Sequence, residues 1–588
     1  MVDEAHERSV DSDLLLGLLK KILRKRARLR LIVASATLEV DAFLKFLSRS
    51  GGEKAPQQLP PRKRPRCGWD DETGEFHQQR AEEGDWRQLC KEMGAGDATA
   101  LKDVCLSTIE GQLHTVKIHY LEEPAGDYIE SAVGTTLAIH EGQPEGDVLL
   151  FLTGREEIDT ACSLLKERLA ETRERRGPKG KRIPPLQVVP LHSGLPQAAQ
   201  LKAFVQAPRG TRKVVVSTNI AEASVTIDGI VYVVDACLVK LQAFCPYNGV
   251  TYLNVAACSR SAAKQRSGRA GRTRPGLCYR LLTEEAFTSG LNPHTMPELC
   301  RCDLKDAVLL LKCLGVDDIS AFQFVTAPTV AALELALEDL YALGAIDSDA
   351  RVLEPVGPRM SLGPLPLNLM RFLLLSTEAP HSCAEEAATI CAMLSLKPPW
   401  LPGQNADRLR ACQQSFAVYE GDLVALLNIL RQYENYRTDD PEWAERHLLN
   451  ADLLERAMQV QGQLLHFLAG LDLPIESCRG DVLRLQRLSC AALFANAARR
   501  LPNGSYRLLR PVDSTRAPQS LFALHPSSVL ASTSGHAPAA FIVFSEALST
   551  AGEAAYLINN IRIQPSWLAE LAPHYFQQVA AAKAVLDA

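Results

Sequence analysis

The chain has 588 residues, too many for one hydrophobic core, so roughly three to five domains are expected. Hydrophobic residues make up 46% and charged residues 23%, which excludes a chain disordered throughout. The formal net charge is only -5, so any nucleic-acid contact must come from a local groove and not from a basic field over the whole surface. The 16 cysteines include no CxxC pair; Cys300 and Cys302 come nearest, with no second pair at zinc-site spacing. Scattered thiols in apolar stretches point to a reducing cytosolic or nuclear compartment. No uncharged apolar run is long enough to cross a bilayer, and the opening Met1-Val2-Asp3-Glu4-Ala5-His6 is no signal peptide, so no membrane partner is expected.

Along the chain, Leu14, Leu15, Leu18, Leu19 and Ile22 recur at helical spacing, and Leu31-Ile32-Val33 reads as a short buried strand. Residues 40–47 read as a helix. From about 48 to 112 the chain is polar and aperiodic, a surface insertion expected to be disordered in part. Its run Arg62-Lys63-Arg64-Pro65-Arg66 fits a nuclear import signal, an RNA-attracting patch or a solvated linker. Strands at 148–152, 186–191, 214–217 and 230–234 then alternate with helices at 156–170 and 197–205, the pattern of a parallel sheet covered by helices. Residues 173–182 read as a charged loop. Amphipathic helices at 303–314 and 329–343 each stop at a glycine, Gly315 and Gly344, and helices dominate to about 471. From 482 onward short strand-like runs return, at 506–509, 540–545 and 556–562, which suggests a small β-barrel.

Chemistry is carried by short motifs. Asp3-Glu4-Ala5-His6-Glu7-Arg8 offers two adjacent carboxylates, one to hold Mg2+ through water and one to polarise an attacking water. Alone it reads equally well as a solvated acidic turn. Ser35-Ala36-Thr37 and Thr218-Asn219-Ile220-Ala221-Glu222-Ala223-Ser224 each follow a strand, although a lone Ser-Ala-Thr is more often a helix cap. Gln265-Arg266-Ser267-Gly268-Arg269-Ala270-Gly271-Arg272 is the most specific. Its guanidiniums can neutralise charge on a γ-phosphoryl, its small residues permit close approach to phosphates, and an ordinary basic helix face explains the glycines poorly.

These motifs, in this order, resemble motifs II, III, V and VI of the DEAH-box helicases of superfamily 2. Phe151-Leu152-Thr153-Gly154-Arg155-Glu156-Glu157-Ile158 resembles motif IV, and Leu191-His192-Ser193-Gly194-Leu195-Pro196 the phosphate-side segment after it. Glu420-Gly421-Asp422-Leu423 and Leu448-Leu449-Asn450 resemble the family's helical region. Phe494-Ala495-Asn496-Ala497-Ala498 and Leu524-His525-Pro526-Ser527-Ser528-Val529 resemble its oligonucleotide-binding barrel. Residues 18–38 and 567–576 are most similar to the spliceosome-associated subgroup called DEAH-box helicase thirty-five.

The resemblance implies an α/β multidomain chain. Its parts are the end of a first RecA-like domain over 1–122, a second over 123–300, a winged helix over 301–365, a ratchet-like helical bundle over 366–475, and an OB-fold barrel with its tail over 476–588. It implies ATP (or another NTP) and Mg2+ as cofactors, with Asp3 holding the metal's water shell and Glu4 as general base. His6 links hydrolysis to the second domain, and Ser35 and Thr37 transmit nucleotide state. Gln265 positions the lytic water, with Arg269 and Arg272 as arginine fingers. Ser224, Thr226 and Asp228 sense nucleotide and ribose. Phe204 stacks on the base, against the simpler reading of a core aromatic. Thr153, Arg155, Thr218 and Asn219 touch the RNA backbone, contacts that are blind to sequence. The implied activity is ATP-driven translocation on single-stranded RNA in pre-mRNA splicing, in the nucleus, with spliceosomal proteins and a G-patch activator as partners.

Three departures stand out. No GxxxxGKS/T run occurs in these residues, Ala223 stands where the family usually has threonine, and the insertion at 48–112 replaces a shorter link. Without such a loop the chain as it stands is expected to hydrolyse little ATP, and an ATPase-incompetent RNA-binding scaffold is the alternative. A start set by gene prediction is the better explanation, since Glu4, Gln265, Arg269 and Arg272 all remain.

Overall fold

The computed structural model describes residues 1–26, 28–36, 40–48, 104, 114–176, 184–222, 226–247, 249–401, 404–509, 521–531, 538–550 and 555–576. Nearly all of the 48–112 insertion therefore lies outside the described residues. The chain divides into two compact units, Met1–Glu7 with Ser12–Gln112, and Arg8–Asp11 with Leu113–Ala588.

In the first unit, Val2 and Val33 form a parallel bridge, with Val2 N–H donating to Ile32 O and Ala34 N–H to Val2 O, both at 2.8 Å. The expected buried strand at 31–33 is only this bridge. Val2 is its one bridging neighbour among the described residues, and Ile32 is 61% exposed. Helix α1 (Val10–Lys25) forms as read, but with its face turned: Leu14 and Leu16 are buried while Leu15 and Ile22 are exposed. Helix α2 (Val40–Ser48) buries Phe43 and Phe46, and the Lys20 ammonium lies 4.4 Å from the Phe46 ring centre.

The second unit opens with a RecA-like sheet. Its elements are β1 (Val116–His119), α3 (Tyr128–Gly142), β2 (Asp147–Phe151), α4 (Arg155–Arg176), β3 (Leu186–Leu191), α5 (Gln197–Leu201), β4 (Arg212–Ser217) and β5 (Ile230–Asp235). The hairpin β6 (Leu238–Cys245) and β7 (Val250–Ala257) follows, then α6 (Arg260–Gly268) and β8 (Gly276–Arg280). Six strands pair in the order β1-β8-β5-β2-β4-β3, every pair parallel. Alternate side chains feed two cores: Leu149, Phe151, Val215 and Val233 on one face, and Val148, Leu150, Val214, Val216 and Val234 on the other. Helices α3 and α4 cover the second face through Ala132, Val133, Ile139, Ile158, Ala161 and Leu165.

Two expectations about this region change. Helix α4 runs on to Arg176, so the loop expected from 173 begins later, and 177–183 are not described. Helix α5 ends at Leu201 and not at 205, because i→i+3 turns take over, with Ala203 N–H donating to Gln200 O and Phe204 N–H to Leu201 O, both at 3.1 Å.

The helical part follows: α7 (Lys305–Cys313), α8 (Val330–Ala342), α9 (Val356–Leu362), α10 (Leu367–Leu375), α11 (Ala384–Leu394), α12 (Ala406–Ser415), α13 (Asp422–Tyr436), α14 (Trp443–Arg446), α15 (Ala451–Gly470) and α16 (Val482–Leu493). The last is a correction, since strands were expected from 482. Its Leu485, Leu488 and Leu493 are buried at helical spacing, and the barrel begins at Ala497. Strands β9 (Ala497–Arg500), β10 (Tyr506–Leu508), β11 (Phe522–Leu524), β12 (Phe541–Thr550) and β13 (Ala555–Arg562) close through β12 and β13. Strand β7 of the RecA-like domain adds in parallel to β12, pairing Thr251 with Leu548 and Leu253 with Thr550. The barrel and the RecA-like domain thus share one seven-stranded sheet.

Asp422 fastens the bundle to the barrel. Its carboxylate accepts from Ser528 Oγ at 2.8 and 3.0 Å, Val529 N–H at 2.7 Å and Asn560 N–H at 2.7 Å. Gly421, at φ +127°, lets the chains meet, because a Cβ there would lie 2.4 Å from the Asn560 carbonyl oxygen. Burial raises the Asp422 carboxyl to about 6 against the pull of these donors. The folded pKa lies above the unfolded value of about 3.9, so the stability from this proton is complete below that value and is lost as pH rises to about 6, roughly 3 kcal/mol in all. Urea unfolding from pH 4 to 7 should show wild type losing that amount relative to Asp422→Asn. A constant difference would mean that the carboxyl is already ionised at pH 4.

Candidate functional site

Ligands of open parallel sheets collect at the carboxyl ends of the strands. Strands β2, β4 and β3 end side by side there, with Phe151 opposite Ser217 and Leu191 opposite the same Ser217. The loops that follow carry Thr153-Gly154-Arg155, Thr218-Asn219 and His192-Ser193. Leu152 N–H donates to Ser217 O at 2.9 Å and Thr218 N–H to Leu191 O at 3.2 Å, so the three loops are tied in one row. All four residues expected on the RNA side fall in this row. Arg155 and Asn219 are exposed and Thr218 is half-buried. Thr153 is only 7% exposed, and its hydroxyl and amide both donate to Glu157, at 2.5 and 3.0 Å.

The arginine-rich segment winds through α6 and one further turn, Arg269–Gly271. Its three arginines have different fates. Arg266 is 1% exposed; its guanidinium donates to Asp235 Oδ1 and Glu222 Oε2, both at 2.9 Å, and to Leu238 O at 3.1 Å. Burial works against this charge, but Asp235 and Glu222 outweigh it and hold the guanidinium above its ordinary value. Arg269 donates to the Glu222 carbonyl and Arg272 to the Thr226 hydroxyl, and both remain half-exposed. The two candidate fingers therefore reach the segment after β4, where exposed Thr226 and Asp228 also lie. Gln265 is half-buried on α6. Ser224 and Thr37 lie outside the described residues. The glycines part company: a Cβ on Gly271 would come 2.6 Å from the His114 carbonyl oxygen, whereas Gly268 faces open space. Gly271 thus serves the chain's own packing, and of the pair only Gly268 leaves room for a phosphate.

Phe204 is 39% exposed, so the reading of a core aromatic fails. The turn that presents it is held by Lys213, itself 1% exposed, whose ammonium donates to Ala203 O at 2.9 Å and Val205 O at 3.0 Å, the carbonyls on either side of Phe204. Burial lowers the Lys213 pKa.

In the first unit Glu4 adopts a left-handed φ of +51°, a conformation that costs energy in a non-glycine residue and gathers at functional sites. Its amide donates to Asp3 Oδ1 at 2.9 Å. His6 Nδ1 accepts from Ala36 N–H at 3.3 Å and lies 3.4 Å from Glu4 Oε2. His6 thereby joins the acidic motif to the segment of Ser35. The exposed Asp3 and half-buried Glu4 are hard oxygen donors, a set that suits a hydrated Mg2+.

Asp235 and Lys213 were not anticipated, and Glu157 and Glu222 lay inside the quoted motifs without an assigned role. The expectation that every guanidinium of the arginine segment faces phosphate fails for Arg266, which is buried against Asp235 and Glu222; nothing in the spacing says which arginine turns inward.

Comparison with known proteins agrees with this arrangement. Residues 131–274 match the helicase conserved C-terminal domain, 368–426 the ratchet-like helicase-associated domain HA2, and 485–575 the oligonucleotide/oligosaccharide-binding (OB) fold. Over 581 residues, 98% of this chain and 73% of the relative, it is 38% identical to "Probable ATP-dependent RNA helicase DHX35" of Homo sapiens. It is 34% identical over 590 residues to "Probable ATP-dependent RNA helicase DHX35 homolog" of Caenorhabditis elegans, covering 98% of this chain and 70% of the relative. It is also 35% identical over 582 residues to "Pre-mRNA-splicing factor ATP-dependent RNA helicase prp22" of Schizosaccharomyces pombe, covering 98% of this chain and 43% of that protein. A RecA-like sheet, a ratchet-like bundle and an OB barrel in one chain define a nucleotide-driven helicase. The chain belongs to the DEAH-box ATP-dependent RNA helicases.

The two kinds of arginine should separate on mutation. Arg266→Ala leaves Asp235 and Glu222 without their cation and should cost about 3–5 kcal/mol, as for other broken buried pairs. Arg272→Ala removes one half-exposed contact and should leave the thermal midpoint within a few degrees of wild type. Equal midpoints for the two variants would contradict the assignment.

Proposed function

We propose that this helicase acts on pre-mRNA in the nucleus, translocating on single-stranded RNA with Mg2+-ATP as fuel. The reading rests first on the row of loops after β2, β3 and β4, which presents hydroxyl, amide and guanidinium groups of the kind that contact a phosphate backbone. Splicing and nuclear action are supported by the fission-yeast relative, named a pre-mRNA-splicing factor, and by the basic run Arg62-Lys63-Arg64.

Within this reading Arg155, Thr218 and Asn219 form the RNA side, and the buried Thr153 belongs to the same row. Asp3 orients the water shell of Mg2+, which when bound neutralises charge on the phosphates. Glu4 takes the proton of the attacking water, Gln265 orients that water, and Arg269 and Arg272 stabilise the charge on the transferred phosphoryl group. Thr226, Asp228 and Ser224 meet the nucleotide, and Phe204 stacks on its base. His6, Ser35 and Thr37 carry the nucleotide state away from the acidic motif. Leu310 on α7 and Leu362 at the end of the packed helix α9, 38% and 76% exposed, with Leu314 just past α7 at 55%, offer apolar surface to a protein partner such as a G-patch activator.

The chain should bind single-stranded RNA with little sequence preference and with an affinity that falls steeply between 50 and 200 mM salt, as counterion release requires. Salt-independent binding, or none at 50 mM, would overturn the RNA side. In a chain preceded by a phosphate-binding loop, Arg272→Ala should lower RNA-stimulated ATP turnover roughly 10³-fold. There, Glu4→Gln should abolish turnover while ATP still binds.

A further inference from the structure

A carboxylate beside a phosphate path is an electrostatic liability, yet Glu157 stands there, in the first turn of α4 and four residues after Thr153. Its contacts give a reason. Oε2 accepts from Thr153 N–H at 3.0 Å, and Oε1 accepts from the Thr153 hydroxyl at 2.5 Å and from the Tyr128 hydroxyl at 2.7 Å. One side chain thus joins three elements: the start of α3, the loop after β2 and the first turn of α4. Burial and the neighbouring Glu157 raise the Tyr128 phenol to about 12, so it keeps its proton and remains a donor at neutral pH. The Thr153 proton is likewise committed to Glu157. A hydroxyl so engaged does not donate to a phosphate, and the group on this loop that reaches solvent as a cation is Arg155.

We propose that Glu157, supported by Tyr128, is the positioning residue of the RNA-side loop: it fixes Thr153 so that Arg155 meets the RNA backbone, and its carboxylate tightens RNA binding through that geometry. The proposal rests on the reading of this loop as an RNA contact. It makes Thr153 the anchor of the loop and Arg155 its phosphate ligand. The sign of one substitution separates it from a passive role. If Glu157 only stands near the path, Glu157→Gln removes a negative charge beside phosphates and binding stays equal or tightens. If Glu157 positions the loop, the amide loses an acceptor to Thr153 or Tyr128 and binding weakens.

The experiment measures binding of a fluorescent single-stranded oligouridine to the full chain by anisotropy, across a salt series. Glu157→Gln is expected to weaken binding roughly tenfold or more at low salt, the scale of a lost hydrogen bond to a charged group. The dependence of log affinity on log salt should fall by about one, as for a lost phosphate contact. Tyr128→Phe should act in the same direction and less strongly. In an Arg155→Ala background Glu157→Gln should cost almost nothing further, a non-additivity that general loss of structure does not produce. Affinity for Glu157→Gln at or above wild type overturns the proposal, and so does full additivity with Arg155→Ala. Should Glu157→Gln fail to fold, Tyr128→Phe carries the test, and unchanged affinity there overturns it. If Arg155→Ala itself changes neither affinity nor salt slope, or wild type binds no RNA, the RNA reading of the loop is wrong and the proposal falls with it. If Arg155→Ala weakens binding while Glu157→Gln and Tyr128→Phe do not, the RNA reading stands and only the positioning role is lost.

Discussion

The buried guanidinium of Arg266 is the constraint on which the motor half of the second unit depends. Taking such a cation out of water costs several kcal/mol, and only partners fixed in advance can offset it. Here they come from four places: Asp235 at the end of β5, Glu222 after β4, the Leu238 carbonyl at the start of β6, and the Phe151 ring at the end of β2, 5.1 Å from the guanidinium carbon. None can move far without leaving a charge unpaired in the interior. Helix α6 is thereby locked to the carboxyl ends of three strands, and Arg269 and Arg272, which follow on the same segment, take their positions from it. Glu222 ties the arrangement further, since its side chain holds Arg266 while its carbonyl accepts from Arg269.

A second set of contacts fastens this sheet to the rest of the unit, and it is also directional. Strand β7 is held to β12 by backbone pairing, Asp422 is held by donors from two barrel segments, and the Lys397 ammonium donates to Ser193 O at 2.8 Å, from the bundle to the row of loops after β2, β3 and β4. Apolar faces tolerate sliding, whereas a ladder register and a carboxylate with matched donors do not. The loops that would grip RNA are therefore referenced to the bundle and the barrel by geometry, with apolar burial adding stability and little precision.

What could be read in the sequence follows the same division. The strands at 148–152, 214–217 and 230–234 were legible because central strands of a parallel sheet are buried on both faces and appear as nearly unbroken apolar runs. The hairpin of β6 and β7 escaped notice because most of its residues are only half-buried, so neither an apolar run nor a clean alternation marks it. Its role depends on β12, about 300 residues away in the chain, and local pattern carries no such information. Motif spacing located the arginine segment but could not tell the buried Arg266 from the half-exposed Arg269 and Arg272. Thr153 was legible as a residue of the site, while the commitment of its proton to Glu157 required the turn of α4 to exist. Apolar pattern was sufficient for the central strands and not for the helix at 482–493 or the buried face of α1; where one polar side chain chooses among several partners, the fold had to be known.

The charge arrangement around Arg155 bears on how such a protein could move. Arg155 Nε lies 3.5 Å from Asp159 Oδ2, an exposed pair four residues apart, and such pairs contribute about 1 kcal/mol or less. On the proposed reading, a phosphate arriving at Arg155 would displace Asp159 at little cost, and when it left the guanidinium would return to Asp159. Glu157, by contrast, has both oxygens directed to Thr153 and Tyr128, so its charge is engaged inside the fold. One carboxylate holds the loop still and the next exchanges with the ligand. With a net charge of only -5, the chain has no strong field that would hold RNA in place regardless of contact geometry. On the proposed reading, grip would then depend on a few groups aligned in a row, each weak enough to release.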